Sequence, residues 1–198
     1  MLSYGDIQTK SNLRNEILLC RDALHPEDRR TFSIVIAQNL EKSRLFDNLE
    51  PDMVVSAYWP IRSEVDPRTI FPLIREKRAR IALPRIQGGA MHFHRWEDGD
   101  KLEKGDFGLL QPAADAPLLE PDILLTPLSV CDTSGGRIGY GKGYYDRSIS
   151  RIESQKAVTV IGLAFSVQLV DHVPQESHDR KLDFLVTEKG CIAIKNNI

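Results

Sequence analysis

Residues 132–147, DTSGGRIGYGKGYYDR, hold five of the chain's 13 glycines, the cations Arg137 and Lys142, and a carboxylate near the end, Asp146. Glycine at alternate positions 139, 141 and 143 lets a backbone take positive φ and turn several N–H groups toward one anion. Arg137 can add a bidentate fork to such a nest, and Lys142 a mobile point charge. Residues 136–142, GRIGYGK, follow the first seven positions of the phosphate-loop pattern, whose eighth is a Ser or Thr that holds Mg²⁺. Here the eighth is Gly143. Asp146 offers a hard ligand instead, and Mg²⁺ on nucleotide phosphates takes only one or two protein carboxylates. Two other readings stay open: a tight turn before a helix, and an Asp that complements the dipole of that helix's first turn. A second carboxylate would favour the metal, and ESHDRKLDF supplies Asp179 and Asp183.

Near the amino terminus Lys10 and Arg14 share one face of a predicted helix, with Arg21 roughly aligned two turns on. They read as a grip for a polyphosphate or as a solvated basic face. YWPIRSEVD follows the first predicted strand, where α/β proteins place binding groups. There Trp59 offers a stacking surface and Glu64 an acceptor for paired N–H donors, the alternative being a core Trp and a surface Glu. His92 and His94 share a strand face without a third ligand at useful spacing, so a partly exposed strand is the preferred reading. No G-x-S-x-G elbow or Cys–His signature is present, which points away from covalent hydrolase chemistry.

The elements that must carry these groups show in the apolar spacing. Ile7, Leu13, Ile17 and Leu24, then Phe32, Val35, Ile36 and Leu40, predict two helices in residues 1–50, with Pro26, Glu27 and Asp28 opening the second. From Pro51 onward, short β-branched runs alternate with turns and helical segments: MVVSAYW, RIALPRI, AMHFHRW, DILLTPLSV, AVTVIGLAF and DFLVTEKGCIAI. The pattern predicts an α/β sheet over 51–198, with strand, glycine loop, amphipathic helix from Tyr144 to Ile152, and strand forming one βαβ unit. Asp66–Pro67 predicts a helix start that Pro72, five residues on, weakens. Nothing divides the 198 residues, so the chain reads as a single domain.

Composition bounds the partners. A net charge of −2 with both signs interspersed gives no global attraction to nucleic acid or anionic lipid. An RNA platform built on Tyr140, Tyr144, Tyr145 and Lys142 lacks a second aromatic strand motif. A dinucleotide fold would need G-x-G-x-x-G earlier in the chain. Three scattered cysteines, no apolar h-region and no long apolar window predict a cytoplasmic protein that neither forms disulfides nor spans a membrane. A monomer or weak homo-oligomer is a separate expectation.

GGRIGYGKGYYDR, followed by IGLAFSVQLVDHVPQESHD and preceded by YWPIRSEVD, resembles the 5-formyltetrahydrofolate cyclo-ligase family, also called methenyltetrahydrofolate synthetases. The resemblance runs from KSNLR to HDRKLDFLVTE, nearly the whole chain. It implies a three-layer α/β/α fold with a mainly parallel sheet, similar to ribose-phosphate isomerases and CoA-transferases. It also implies conversion of 5-formyltetrahydrofolate and ATP, with Mg²⁺, to 5,10-methenyltetrahydrofolate, ADP and phosphate. Lys10 and Arg14 match the family's K-x-x-x-R that contacts ATP, and Arg137, Ile138, Gly139, Tyr140, Gly141, Lys142, Gly143, Tyr144 and Tyr145 match its ATP loop. Trp59 and Glu64 match folate-contacting positions, as do Tyr140 to Tyr144 on the folate side of the loop. Asp146 and Asp179 match the Mg²⁺ carboxylates, and Lys142 with Arg137 is expected to stabilise the charge of phosphoryl transfer. The aromatic MHFHRW is a further candidate for the pterin pocket.

Overall fold

The structure, a computed structural model, describes residues 9–176 and 179–194, apart from the side chain of Phe107. Ile7 of the first predicted helix lies outside the described residues. Two helices come first: α1, Lys10–Asp22, and α2, Pro26–Lys42. Thr9 caps α1 by accepting the Asn12 N–H at 3.2 Å. Pro26, Glu27 and Asp28 occupy the first turn of α2, as the sequence predicts.

Among the described residues eleven strands follow: β1 Val54–Ser56, β2 Arg80–Gln87, β3 Ala90–Arg95, β4 Leu102–Lys104, β5 Leu110–Pro112, β6 Ile123–Pro127, β7 Val130–Cys131, β8 Arg137–Ile138, β9 Thr159–Leu163, β10 Phe184–Thr187 and β11 Gly190–Ala193. Two more helices, α3 Phe71–Glu76 and α4 Tyr144–Glu153, sit between them. Pro67 opens a 3₁₀ turn, Pro67–Ile70, and Pro72 lies in the first turn of α3. Pro72 therefore starts a second helical segment instead of damaging the first, because a first-turn N–H has no intrahelical hydrogen bond to lose.

Seven strands form one sheet in the order β11-β10-β9-β6-β1-β2-β3. The five central strands are parallel, and the edge strands β3 and β11 pair antiparallel to their neighbours. Parallel strands are covered on both faces, and their side chains alternate between two cores. Val55, Ile81, Leu83, Ile123, Leu125, Ile161 and Val186 pack with Ile36 and Leu40 of α2 and with Phe71 and Ile74 of α3. Val54, Ala82, Leu124, Val160 and Leu185 pack with Ile149 and Ile152 of α4 on the opposite face. This is the expected three-layer α/β/α fold with a mainly parallel sheet.

The chain runs outward from β1 to β2 and β3, then returns to the other side of β1 with β6, β9 and β10. The sheet therefore has its switch point between β1 and β6, where the loops leaving their carboxyl ends diverge and leave a crevice. β6, α4 and β9 form the expected βαβ unit, with the small hairpin β7–β8 inserted before the helix. A second small hairpin, β4–β5, packs beside β2.

Candidate active site

Asp132 builds the glycine loop. One of its carboxylate oxygens accepts the Ser134 N–H at 2.8 Å, the Ser134 hydroxyl at 2.7 Å and the Gly136 N–H at 2.9 Å. The other accepts the Val173 N–H at 2.8 Å. Burial alone would raise this carboxyl, but those bonds favour its charged form and hold it below the ordinary carboxylate range. A fixed carboxylate thus closes the β7–β8 turn and aims the residues after it.

Beyond Ile138 the backbone needs glycine at two places. Gly141 has φ +88°, and a Cβ there would lie 3.1 Å from the Arg14 guanidinium. Gly143 has φ +63° and is the left-handed N-cap of α4, which has no side-chain cap. Gly139 does not share the expected positive φ. A Cβ on Gly139 would meet nothing within 4 Å, so its contribution is open space rather than an unusual turn.

The loop forms one wall of a cavity of about 770 Å³ at the switch point. Every site residue that the resemblance implies lines it: Lys10 and Arg14 of α1, Trp59 and Glu64 after β1, residues 137–146, and Asp179. At one end the charges are paired. Arg137, almost fully buried, lies 2.9 Å from Asp146, and Lys10 lies 2.5 Å from Asp179 and 3.3 Å from Glu176. Burial pulls the Arg137 guanidinium below its ordinary value against the opposing charges of Asp146 and Asp179. Burial also opposes the charge of Lys10, but Asp179 and then Glu176 outweigh it and raise the ammonium. The buried Nε of Arg137 and the buried hydroxyl of Tyr145 have no partner among the described residues. Such orphaned polar atoms beside a cavity suit a ligand that supplies the missing bonds.

The other end is apolar, walled by Tyr58, Pro84, Ile86, Met91, Leu109 and Leu110. Glu64 is the buried carboxyl on this side. Desolvation pushes it up from 4.5 to about 7, although it accepts the Ile61 N–H at 2.9 Å and feels the positive charges of Arg21 and Arg62. Trp59 packs edge-on to Trp96 with centroids 5.7 Å apart, under the Arg68 guanidinium at 4.8 Å, and so is both core and cavity wall.

Three expectations need correction. Arg21 does not join the phosphate face: it is fully buried, and its helical alignment with Arg14 turns it inward beneath the loop. Asp183 accepts the Val160 N–H at 2.8 Å at a strand end and does not line the cavity. Of MHFHRW only Met91 reaches the cavity, because Phe93 points into the α4-side core and Trp96 packs against Phe71 and Trp59. His94 is buried with Nδ1 2.7 Å from the Ala116 carbonyl oxygen, a structural role. Among the described residues no group of three or more His, Cys, Asp or Glu could hold a metal ion, so a metal here would rest on a carboxylate pair plus its ligand. Sequence reading missed the apolar wall, whose members come from separate segments and carry no motif.

The sequence profile of the 5-formyltetrahydrofolate cyclo-ligase family matches residues 6–188. The chain belongs to this family. A 5-formyltetrahydrofolate cyclo-ligase of Haemophilus influenzae is 28% identical over 190 residues, covering 90% of this chain and 98% of its own. That of Mus musculus is 26% identical over 192 residues, covering 90% and 93%. The solved 5,10-methenyltetrahydrofolate synthetase of Aquifex aeolicus superposes with a TM-score of 0.79 at 30% identity, over 96% of this chain and 94% of that one. The family is one of ligases, and its members' names and fold agree with the crevice described above. Among the described residues no helix is long and apolar enough to cross a membrane.

Proposed function

We propose that the chain catalyses the ATP-dependent cyclisation of 5-formyltetrahydrofolate to 5,10-methenyltetrahydrofolate, with release of ADP and phosphate. One observation carries this reading: a single cavity is lined both by the glycine loop with the cations Lys10, Arg14, Arg137 and Lys142 and by apolar and aromatic side chains. A polyphosphate suits the first lining, and a flat heterocycle with N–H donors suits the second.

A formamide carbonyl is a poor electrophile because its nitrogen donates into it. Phosphorylation of the formyl oxygen turns that oxygen into a leaving group, the neighbouring folate nitrogen attacks the carbon, and loss of phosphate leaves the methenyl cation. The protein's task is to position and neutralise. Lys10, Arg14, Arg137 and the loop N–H groups hold phosphate oxygens, and Lys142 is assigned the charge that develops during transfer. Glu64 accepts N–H donors of the pterin, which stacks near Trp59 and Tyr144. The apolar wall keeps water from the activated carbon.

Asp146 and Asp179 fit Mg²⁺ as a nucleotide-borne ion, since both face the cationic end and such an ion takes one or two carboxylates from protein. When bound it supplies neutralisation of phosphate charge. The reading includes one domain acting as a monomer or weak homo-oligomer on a small molecule, without nucleic acid. Three free cysteines suit a reducing cytoplasm. Mixing protein, ATP, Mg²⁺ and 5-formyltetrahydrofolate should give an ATP-dependent rise in methenyl absorbance, and the absence of that rise overturns the proposal.

A further inference from the structure

Arg21 is 0% exposed, although an isolated buried guanidinium is costly unless its donors are matched. Its Nε donates to the Ser63 hydroxyl at 2.9 Å, one Nη donates to the Leu128 carbonyl at 3.4 Å, and the other donates to the Tyr140 hydroxyl at 3.0 Å. These partners belong to three different segments around the cavity: the loop after β1, the residue after β6 and the glycine loop. Each hydroxyl also leads to a carboxylate. Ser63 donates to Asp22 Oδ1, and the Tyr140 hydroxyl faces Glu64. The guanidinium therefore lies between two carboxylates at one hydroxyl's remove from each, which offsets its charge without a direct ion pair. Because the Tyr140 hydroxyl accepts from Arg21, its own proton is left to point at Glu64.

We infer that Arg21 is a positioning residue of this site, fixing Tyr140 against Glu64 and tying the glycine loop to the loops that leave β1 and β6. It does not line the cavity, so it acts only through the residues it holds. Tyr140 is the hinge of this arrangement. Its hydroxyl is held by Arg21, its ring carries Arg62 at 5.9 Å, and it lines the cavity. The inference rests on the proposed cyclisation for its kinetic readout and on the fold alone for its structural one.

Two variants test it. Arg21→Lys keeps a cation but loses the three-way fork, and Tyr140→Phe removes only the hydroxyl. Hydrogen exchange of the Glu64 and Ser129 amides, which donate to the Ile61 and Ile138 carbonyls in the segments that Arg21 ties together, should quicken about tenfold in both variants, as expected when one charge-assisted bond is lost, while α1 amides near Leu13 stay unchanged. In the cyclisation assay each variant should raise KM for 5-formyltetrahydrofolate about tenfold and KM for ATP by less than about threefold. The double variant should match the worse single, because both break one contact.

Glu64 is faced by Arg21 from α1, Arg62 and the Ile61 N–H from its own loop, Tyr140 and Tyr145 from the glycine loop and α4, and Tyr58 after β1. Arg21 lowers this carboxyl, so weakening its hold should move the acid limb of the folate-affinity profile to higher pH in Arg21→Lys. Unchanged exchange of the Glu64 and Ser129 amides in Arg21→Lys, or additive effects in the double variant, overturns the inference. Quickened exchange in Arg21→Lys, where the parent protein gives no ATP-dependent methenyl signal, leaves the positioning role standing and removes only the proposed reaction.

Discussion

The two ends of the cavity are built by opposite means. The cationic end is mostly one contiguous stretch, residues 137–146, braced by the Asp132 carboxylate and balanced by the Arg137–Asp146 and Lys10–Asp179 pairs. The apolar end draws Tyr58, Ile86, Met91 and Leu110 from four separate segments, and its one buried carboxyl, Glu64, has no cation in direct contact among the described residues. At the first end Arg137 and Lys10 already have carboxylate partners, so a polyphosphate bound there would exchange those ion pairs for its own. Charge in the second end is suppressed by desolvation instead. The first end should respond to salt and to charge-removing substitutions, and the second to pH and to changes of shape.

Removing Lys142 tests the first end most severely. With its charge assigned to the transition state rather than to the bound nucleotide, Lys142→Ala should lower kcat by about 10²–10³-fold, the usual cost of losing one preorganised donor. KM for 5-formyltetrahydrofolate should change little. Steady-state kinetics of the methenyl signal separates the two, and near-normal kcat would show that Lys142 only lines the cavity.

Glu64 sharpens the contrast through pH. Its carboxyl titrates at about 7 in the folded chain, and near 4.5 once unfolding returns it to water. Between these values the folded chain holds a proton that the unfolded chain has released. Its contribution is complete below about 4.5 and is lost as pH rises through 7, amounting to roughly 3 kcal/mol. Glu64→Gln keeps the shape and removes the titration. From pH 5 to pH 8 the parent's thermal midpoint should therefore fall relative to that of the variant by roughly 5–10 °C. Parallel midpoints would mean that Glu64 is solvated, and the two ends would then be alike.

The same contrast decides what could be read from the sequence. The glycine loop was legible because its residues are neighbours in the chain, so their types and spacing state the chemistry directly. The parallel strands were legible from their β-branched runs, and α2 from Pro26, Glu27 and Asp28. Met91 and Ile86 carry no such signal, because a cavity wall and a core position ask for the same apolar side chain and only the β2–β3 pairing brings them together. Arg21 shows a different limit. Helical spacing set it in line with Arg14, but whether an arginine meets solvent or is buried depends on the hydroxyls that Ser63 and Tyr140 bring from elsewhere.

Trp59 should give the smallest effect, because it belongs partly to each construction. Its ring is half core, edge-on to Trp96, and half cavity wall, with Arg68 held over it by the bidentate pair to Asp66 at 2.7 and 2.6 Å. Trp59→Phe keeps an aromatic edge against Trp96 but gives up area on the cavity side. KM for 5-formyltetrahydrofolate should rise about three- to tenfold, in line with the roughly 0.5–1.5 kcal/mol of an aromatic pair, while kcat and KM for ATP stay put. If KM for ATP rose instead, the nucleotide would extend past residues 140–144 to the β1 side, and the division of the cavity at the glycine loop would have to be redrawn.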